Sequence, residues 1–293
     1  MASFIARLAS VLRPDRPRWA CEFTRRAVVV VGASPDRRNI ASSASVALPP
    51  GALRPGIKAT NLADAGAVSD TLKRALEQAG FVGSELAVVV PDDTVKISLV
   101  EAASFPGSEE ERVAFIRWKL KKHMPFDVST AAIAYQKLSE NGVVEVIAVV
   151  SPASVVEQYE AVVDALGVHA GAVSPSGPSA LNLLDADAGD ILFVKLGGDT
   201  VVTAVLTDGR LRFYRNVPSA GSLDASVYPT LMYYQDKLSE REGQTLRKMV
   251  LVGEGFYPDD TRAAASKLGL TVSSLYSSGI EDIYKPALGA LQG

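Results

Sequence analysis

Short apolar runs rich in β-branched residues recur along this chain: AVVVV at 27–31, LAVVV at 86–90, VEVIAVV at 144–150, ILFVKL at 191–196 and KMVLV at 248–252. Each is too short for a membrane helix and bounded by turn residues, so each reads as a buried strand. Between them lie stretches of helical spacing. Val68, Leu72 and Leu76 recur at every fourth position ahead of a stop at Gly80. Ser108 followed by Glu111 is a capping box at the head of a helix that Pro125 terminates. Ser151-Pro152 opens another helix that stops at Gly167. Strands alternating with helices in this way require a mixed α/β fold. The order falls into two halves, each opening on a β-hairpin run, with a seam near Asp185–Asp190.

The hairpins have their own signals. The first strand is expected to end at Val31, with a turn over Gly32–Arg38 and a second strand to Leu48, before Pro49-Pro50-Gly51. Glu140-Asn141-Gly142 joins two strands in the middle of the chain, and Asp208-Gly209 is a turn pair that needs positive φ. The N-terminal stripe of Phe4, Ile5, Leu8, Val11 and Leu12 has two readings. One is a short helix packed on the body or a frayed terminus. The other is an interfacial lipid contact through Arg13, Arg16 and Arg18.

Composition removes several function classes. With 30 basic and 33 acidic residues the net charge is −3, which supplies no global attraction to nucleic acid. One cysteine, Cys21, excludes an intrachain disulfide and suits a reducing compartment, and two histidines leave little for a zinc site. No stretch approaches the ~20 apolar residues of a membrane span.

The basic stretch from Arg117 onward is the unusual element. On a helical wheel Val113, Ile116, Leu120 and Met124 form one stripe that should pack on the neighbouring sheet. Phe115 and Trp118 fall on another side, among Arg117, Lys119, Lys121 and Lys122. The plainer expectation buries Phe115 and Trp118 against an adjacent lobe under lysine stems. The alternative has them line a groove for a partner peptide. Lys121 and Lys122 also complement the dipole at the helix end. No RNA or DNA motif accompanies these cations, so nucleic acid is not an expected partner, and attraction to an anionic leaflet fits them better.

The segment continues as Met124-Pro125-Phe126, then Tyr135-Gln136 on a strand, then Ser151-Pro152 through Gly167. In order and spacing this resembles the type IV pilus assembly protein PilM, most closely over residues 85–185 and more loosely elsewhere from Phe23 onward. The resemblance implies an actin-like (ribonuclease H-like) two-lobed fold with a small inserted βαββ lobe, related to the cell-division protein FtsA. It divides the chain into an N-terminal amphipathic segment (1–22), a first lobe (23–84 and 151–188), the inserted lobe (85–150) and a second lobe (189–293). It implies a cytoplasmic scaffold, peripheral to the inner membrane, that binds the cytoplasmic N-terminal segment of a PilN-like membrane protein and works with other pilus assembly components. The cytoplasmic module of the type II secretion L component is a related possibility.

An actin-like ATPase uses two hairpins, each usually beginning Asp-x-Gly, whose N–H groups cradle phosphates while the carboxylate holds the metal. In the expected first hairpin, Gly32 and Asp36 do not give that spacing. In the second, Lys195 stands at the Asp position before Gly197, Gly198 and Thr200, and an ammonium there pairs with phosphate only as a point charge. Gly253 and Gly255 sit where the family has its adenosine turn. The expectation is a scaffold with a degenerate site, no cofactor and no catalytic residue. Gly197, Gly198, Thr200, Gly253 and Gly255 would contact ATP if it binds. An ATP-binding switch or ATPase is the alternative.

Overall fold

The computed structural model describes residues 17–58, 60–139, 143–184, 189–238, 246–254, 263, 265–275 and 279–292. The N-terminal stripe at 4–12, Arg13, Arg16, the turn at 140–142 and Gly255 lie outside the described residues. The chain divides into two compact units, Met1–Asn182 with Pro286–Gly293, and Leu183–Lys285.

The first unit is built on a five-stranded sheet, with β1 (Trp19–Phe23), β2 (Ala27–Ala33), β3 (Ile40–Ala47), β4 (Glu85–Val90) and β8 (His169–Pro175) in the order β3-β2-β1-β4-β8. β1, β2 and β3 pair antiparallel, whereas β1–β4 and β4–β8 are parallel. The apolar runs supply strands buried on both faces, which is why Val28 to Val31 and Val88 to Val89 read as unbroken apolar sequence. One face carries α1 (Ala65–Ala79) and α3 (Ala153–Asp164). α1 begins where the Asp64 carboxylate accepts from the Ala67 N–H at 2.9 Å and ends at Gly80 in the left-handed conformation. Val68, Leu72 and Leu76 form its buried stripe, as their spacing requires, and Tyr159 of α3 packs edge-on against Phe23.

The crossover from β4 to β8 contains a small lobe in the order strand, helix, strand, strand. These are β5 (Lys96–Ala102), α2 (Glu109–Leu120), β6 (Ala131–Ser139) and β7 (Val144–Pro152), with β7 central in an antiparallel sheet. Its core is Val100, Ile116, Leu120, Val128, Ala131, Val144, Val146, Ala148 and Val150. The capping box forms: Ser108 Oγ accepts from the Glu111 N–H at 3.3 Å, and Glu111 Oε2 accepts from the Ser108 N–H at 3.4 Å.

The second unit repeats the first unit's sheet plan. β9 (Asp190–Gly197), β10 (Thr200–Thr207) and β11 (Arg210–Pro218) pair antiparallel, β12 (Lys248–Glu254) and β13 (Thr271–Ser274) add in parallel, and the order is β11-β10-β9-β12-β13. In both units the first strand is central, with its two hairpin successors on one side and two parallel strands on the other. α5 (Leu223–Tyr233) covers one face through Leu223, Val227 and Leu231. Asp208 and Gly209 take φ of 48° and 74°, the positive-φ pair that the β10–β11 turn needs.

Three boundaries differ from the sequence expectation. Residues 19–22 are not part of a terminal segment but form the central strand of the first sheet. β4, placed in the inserted lobe at 85–90, hydrogen-bonds between β1 and β8 in the large sheet, so the lobe's own sheet starts at Lys96. Helix α6 (Lys285–Gln292) leaves the second unit after its first residue. Within the first unit Asn182 Nδ2 donates to the Gly289 carbonyl at 2.9 Å.

Candidate functional site

Because β1 precedes AVVVV, the hairpin that follows the first strand is Thr24–Arg26, not Gly32–Arg38. The expected placement was one strand late. Glu22-Phe23-Thr24 therefore stands where Asp-x-Gly is needed. Thr24 closes this turn with its own hydroxyl, which accepts from the N–H groups of Ala27 at 2.9 Å and Arg26 at 3.3 Å. Two donors that a phosphate would need are thus satisfied internally. Glu22 is buried, and its carboxylate accepts from the Ser176 hydroxyl. Asp92, just after β4, accepts from the Gly177 N–H at 2.7 Å. Together these carboxylates hold the start of the short helix α4 (Ser176–Leu181) to the sheet. Arg25 reaches Asp93 at 2.9 Å. Thr24→Ala leaves two turn N–H groups without their acceptor and is expected to cost about 1 kcal/mol, measured by urea unfolding.

The loop over Gly32–Arg38 has a different explanation. A Cβ on Gly32 would lie 2.7 Å from the Trp19 ring across the β1–β2 pair, so glycine makes room for the indole. Asp36 accepts from the Ser34 hydroxyl and from the Arg38 N–H at 3.1 Å, and these bonds hold its carboxyl below the usual range. It stabilises its own loop.

In the second unit Gly197, Gly198 and Thr200 come together at the β9–β10 turn. The two central residues are Gly198, at φ +74°, and Asp199, which is not in the positive-φ region. This is the pattern of a type II′ hairpin. The Thr200 hydroxyl donates to the Gly197 carbonyl at 3.4 Å, and the Asp199 carbonyl accepts from the Ser219 N–H at 2.7 Å. Lys195 is buried on β9, and its ammonium lies 3.5 Å from where a Gly197 Cβ would stand.

Gly253 lies at the end of β12, opposite Leu196 of β9. Its N–H donates to Asp282 Oδ2 at 3.2 Å. The other oxygen of Asp282 pairs with the buried Lys285 ammonium, which also donates to Ser274 Oγ at 3.1 Å. A carboxylate–ammonium pair from the same unit thus lies at Gly253, the position set against the family's adenosine turn, a feature the sequence reasoning missed. Glu281-Asp282-Ile283-Tyr284-Lys285 gives no motif that would have flagged it.

Within the first unit Glu22 is committed to Ser176; within the second, Lys195 is buried on β9 and Asp282 puts negative charge beside Gly253. Among the described residues no group of three or more His, Cys, Asp or Glu could hold a metal ion.

On the small lobe, α2 buries Ile116 and Leu120, and Val113 and Met124 are half-buried beside them. Phe115 is half-buried too, edge-on to Phe105, which in turn meets Tyr135 edge-on with ring centroids 5.5 Å apart. The expected burial of both aromatics against an adjacent lobe is therefore not what forms. Phe115 packs within its own lobe, and Trp118 is 68% exposed. The lobe core needs only one face of a short helix, which leaves Trp118 outside it. Arg117 is no solvated charge: its guanidinium donates to the carbonyls of Val128 at 2.7 Å and Ala131 at 3.1 Å, which fixes the helix to the segment after it. Lys119 lies 5.7 Å over both the Phe115 and Trp118 rings.

No protein-family model matches the chain, and no curated protein matches it in sequence. Solved structures do match in fold. A chain of the PilM-PilN type IV pilus biogenesis complex superposes with a TM-score of 0.71 at 16% identity, covering 94% of this chain and 100% of that one. A Bacteroides thetaiotaomicron protein with an actin-like ATPase fold gives 0.55 at 12% identity, over 91% of this chain and 93% of that one. The cytoplasmic domain of EpsL, an inner-membrane component of the Vibrio cholerae type II secretion system, gives 0.54 at 12% identity, over 94% of each chain. Two sheets of one strand order, a small lobe inserted in the first, and these likenesses lead to one conclusion: this chain has the two-lobed actin-like fold.

Proposed function

We propose that the protein is a cytoplasmic actin-fold scaffold of a type IV pilus assembly platform. It docks the short cytoplasmic N-terminal segment of a PilN-like inner-membrane protein and lies peripheral to that membrane. The observation that carries this reading is the likeness in fold to a chain of the PilM-PilN complex along its whole length. The EpsL likeness supports a second reading, the corresponding module of a secretion system. Among the described residues no helix is long and apolar enough to cross a membrane, which accords with recruitment through a partner.

The scaffold works without nucleotide turnover. A hairpin closed by Thr24, a lysine at position 195 and a carboxylate at Gly253 support a degenerate site, and Gly197, Gly198, Thr200 and Gly253 then serve the backbone geometry of their strands and turn. The segment docks on the face of α2 that carries Phe115 and Trp118, because an exposed indole beside a half-buried ring is a ready anchor for an apolar side chain.

A thermal-shift titration tests both halves. A synthetic peptide from the PilN-like N-terminus is expected to raise Tm, and millimolar ATP with magnesium is expected to leave it unchanged. Saturation at 100 times Kd would stabilise by about 2.7 kcal/mol, a readable shift. Trp118→Ala should weaken the peptide by about 30-fold while leaving the Tm of the free protein unchanged, since the ring is largely exposed. A shift with ATP and none with peptide reverses the reading.

A further inference from the structure

The basic stretch is only partly absorbed by the reading above. Arg117 is spent on two carbonyls and Lys119 on two rings. Lys121, Lys122 and His123 remain, all exposed, in the turn that follows α2. Met124 and Phe126 pack back into the lobe core, so this end is a fixed projection rather than a loose tail. The acidic residues of the helix, Glu109 to Glu111, sit at its opposite end. Asp127 is the carboxylate near Lys121, and its side chain is tied to the Ser129 N–H at 2.9 Å.

We propose that the Lys121–Lys122 end of α2 rests on an anionic lipid surface. Lysine ammoniums are point charges without the fork geometry that selects a single carboxylate or base, so an exposed pair suits a diffuse layer of headgroup phosphates. Nucleic acid fits less well, because no RNA or DNA motif accompanies the pair. The inference deepens the proposed function and rests on it in one respect. A segment that has just left a bilayer, and that docks on Phe115 and Trp118, brings the next turn of α2 beside the headgroups.

The test is co-sedimentation of the full chain with vesicles of phosphatidylcholine alone or mixed with phosphatidylglycerol, at low and raised salt. Binding is expected only to the anionic vesicles, and it should fall as salt rises. The double variant K121Q/K122Q should bind about 25-fold more weakly, at roughly fivefold per lysine, with an unchanged circular dichroism spectrum. Equal binding of variant and parent overturns the inference, because another surface such as residues 1–16 then holds the lipid. So does equal binding to neutral vesicles, no binding at all, or preferential capture of duplex DNA. Peptide binding in solution is read separately. A chain that binds the partner peptide but not vesicles loses the lipid contact and keeps the proposed function. A chain that binds vesicles through these lysines but not the peptide does the reverse.

Discussion

Gly253→Ala is expected to destabilise the second unit by about 4 kcal/mol, among the largest effects of any single methyl in this chain. A Cβ at Gly253 would lie 2.3 Å from the Leu196 carbonyl oxygen and 2.9 Å from its nitrogen. Those are backbone atoms of the central strand. Leu196 cannot yield, because it is paired with Val201 on the other side. The residue also sits at φ +119°, a region that costs a side-chain-bearing residue about 1–3 kcal/mol before any clash is counted. Gly198→Ala is the control. Its φ is +74° but nothing lies within 4 Å of an added Cβ, so the cost should be about 1 kcal/mol. Urea unfolding of the two variants measures the difference. If Gly253→Ala falls within about 1 kcal/mol of the parent, β9 and β12 do not approach as closely as they do here. The contrast also bears on function: the close approach of β12 to β9 is by itself enough to require glycine at 253.

What could be read from the sequence was local. Ser108 with Glu111, Gly80 after Leu76, and Asp208-Gly209 each place a donor, acceptor or positive φ within a few residues, and each is found where the spacing put it. Two strands escaped. β1 is Trp-Ala-Cys-Glu-Phe, with a charge in the middle, and Thr-Arg-Arg after it carries none of the glycine, proline or asparagine that marks a hairpin. The turn works through the Thr24 hydroxyl instead, and its loss from view moved the first phosphate hairpin to Gly32. β8, rich in alanine and glycine, has Val173 as its single β-branched residue and is held in place by pairing with β4. Burial at Glu22 depends on a partner 154 residues away, so no window on the sequence contains it, whereas Lys285 has Asp282 three residues before it and only its burial was not legible. Trp118 failed for a simpler reason. A wheel tells which side chains share a face, but only the neighbouring elements decide which face is covered.

The pair at the Gly253 turn yields the second large effect. Lys285 is 2% exposed, while Asp282 keeps about a third of its side-chain surface in water. Removing the cation with Lys285→Met leaves that carboxylate facing the Gly253 N–H without its counter-charge and leaves Ser274 without its donor. Breaking a fully buried pair costs about 3–5 kcal/mol, and solvent at Asp282 should reduce this to about 2. Asp282→Asn in the same background should restore part of the loss, since a neutral amide needs no cation. A coupling of about 1 kcal/mol in the double-mutant cycle would show that the two side chains act as a unit. A further variant separates two explanations for the expected lack of a nucleotide at this turn. Asp282→Ala frees the Gly253 N–H and removes the negative charge beside it. That variant should still give no thermal shift with magnesium ATP, because Thr24 continues to close the first hairpin and Lys195 still stands in the second. A shift confined to Asp282→Ala would mean that one carboxylate alone keeps ATP out, and that the two hairpins retain the capacity to hold phosphate.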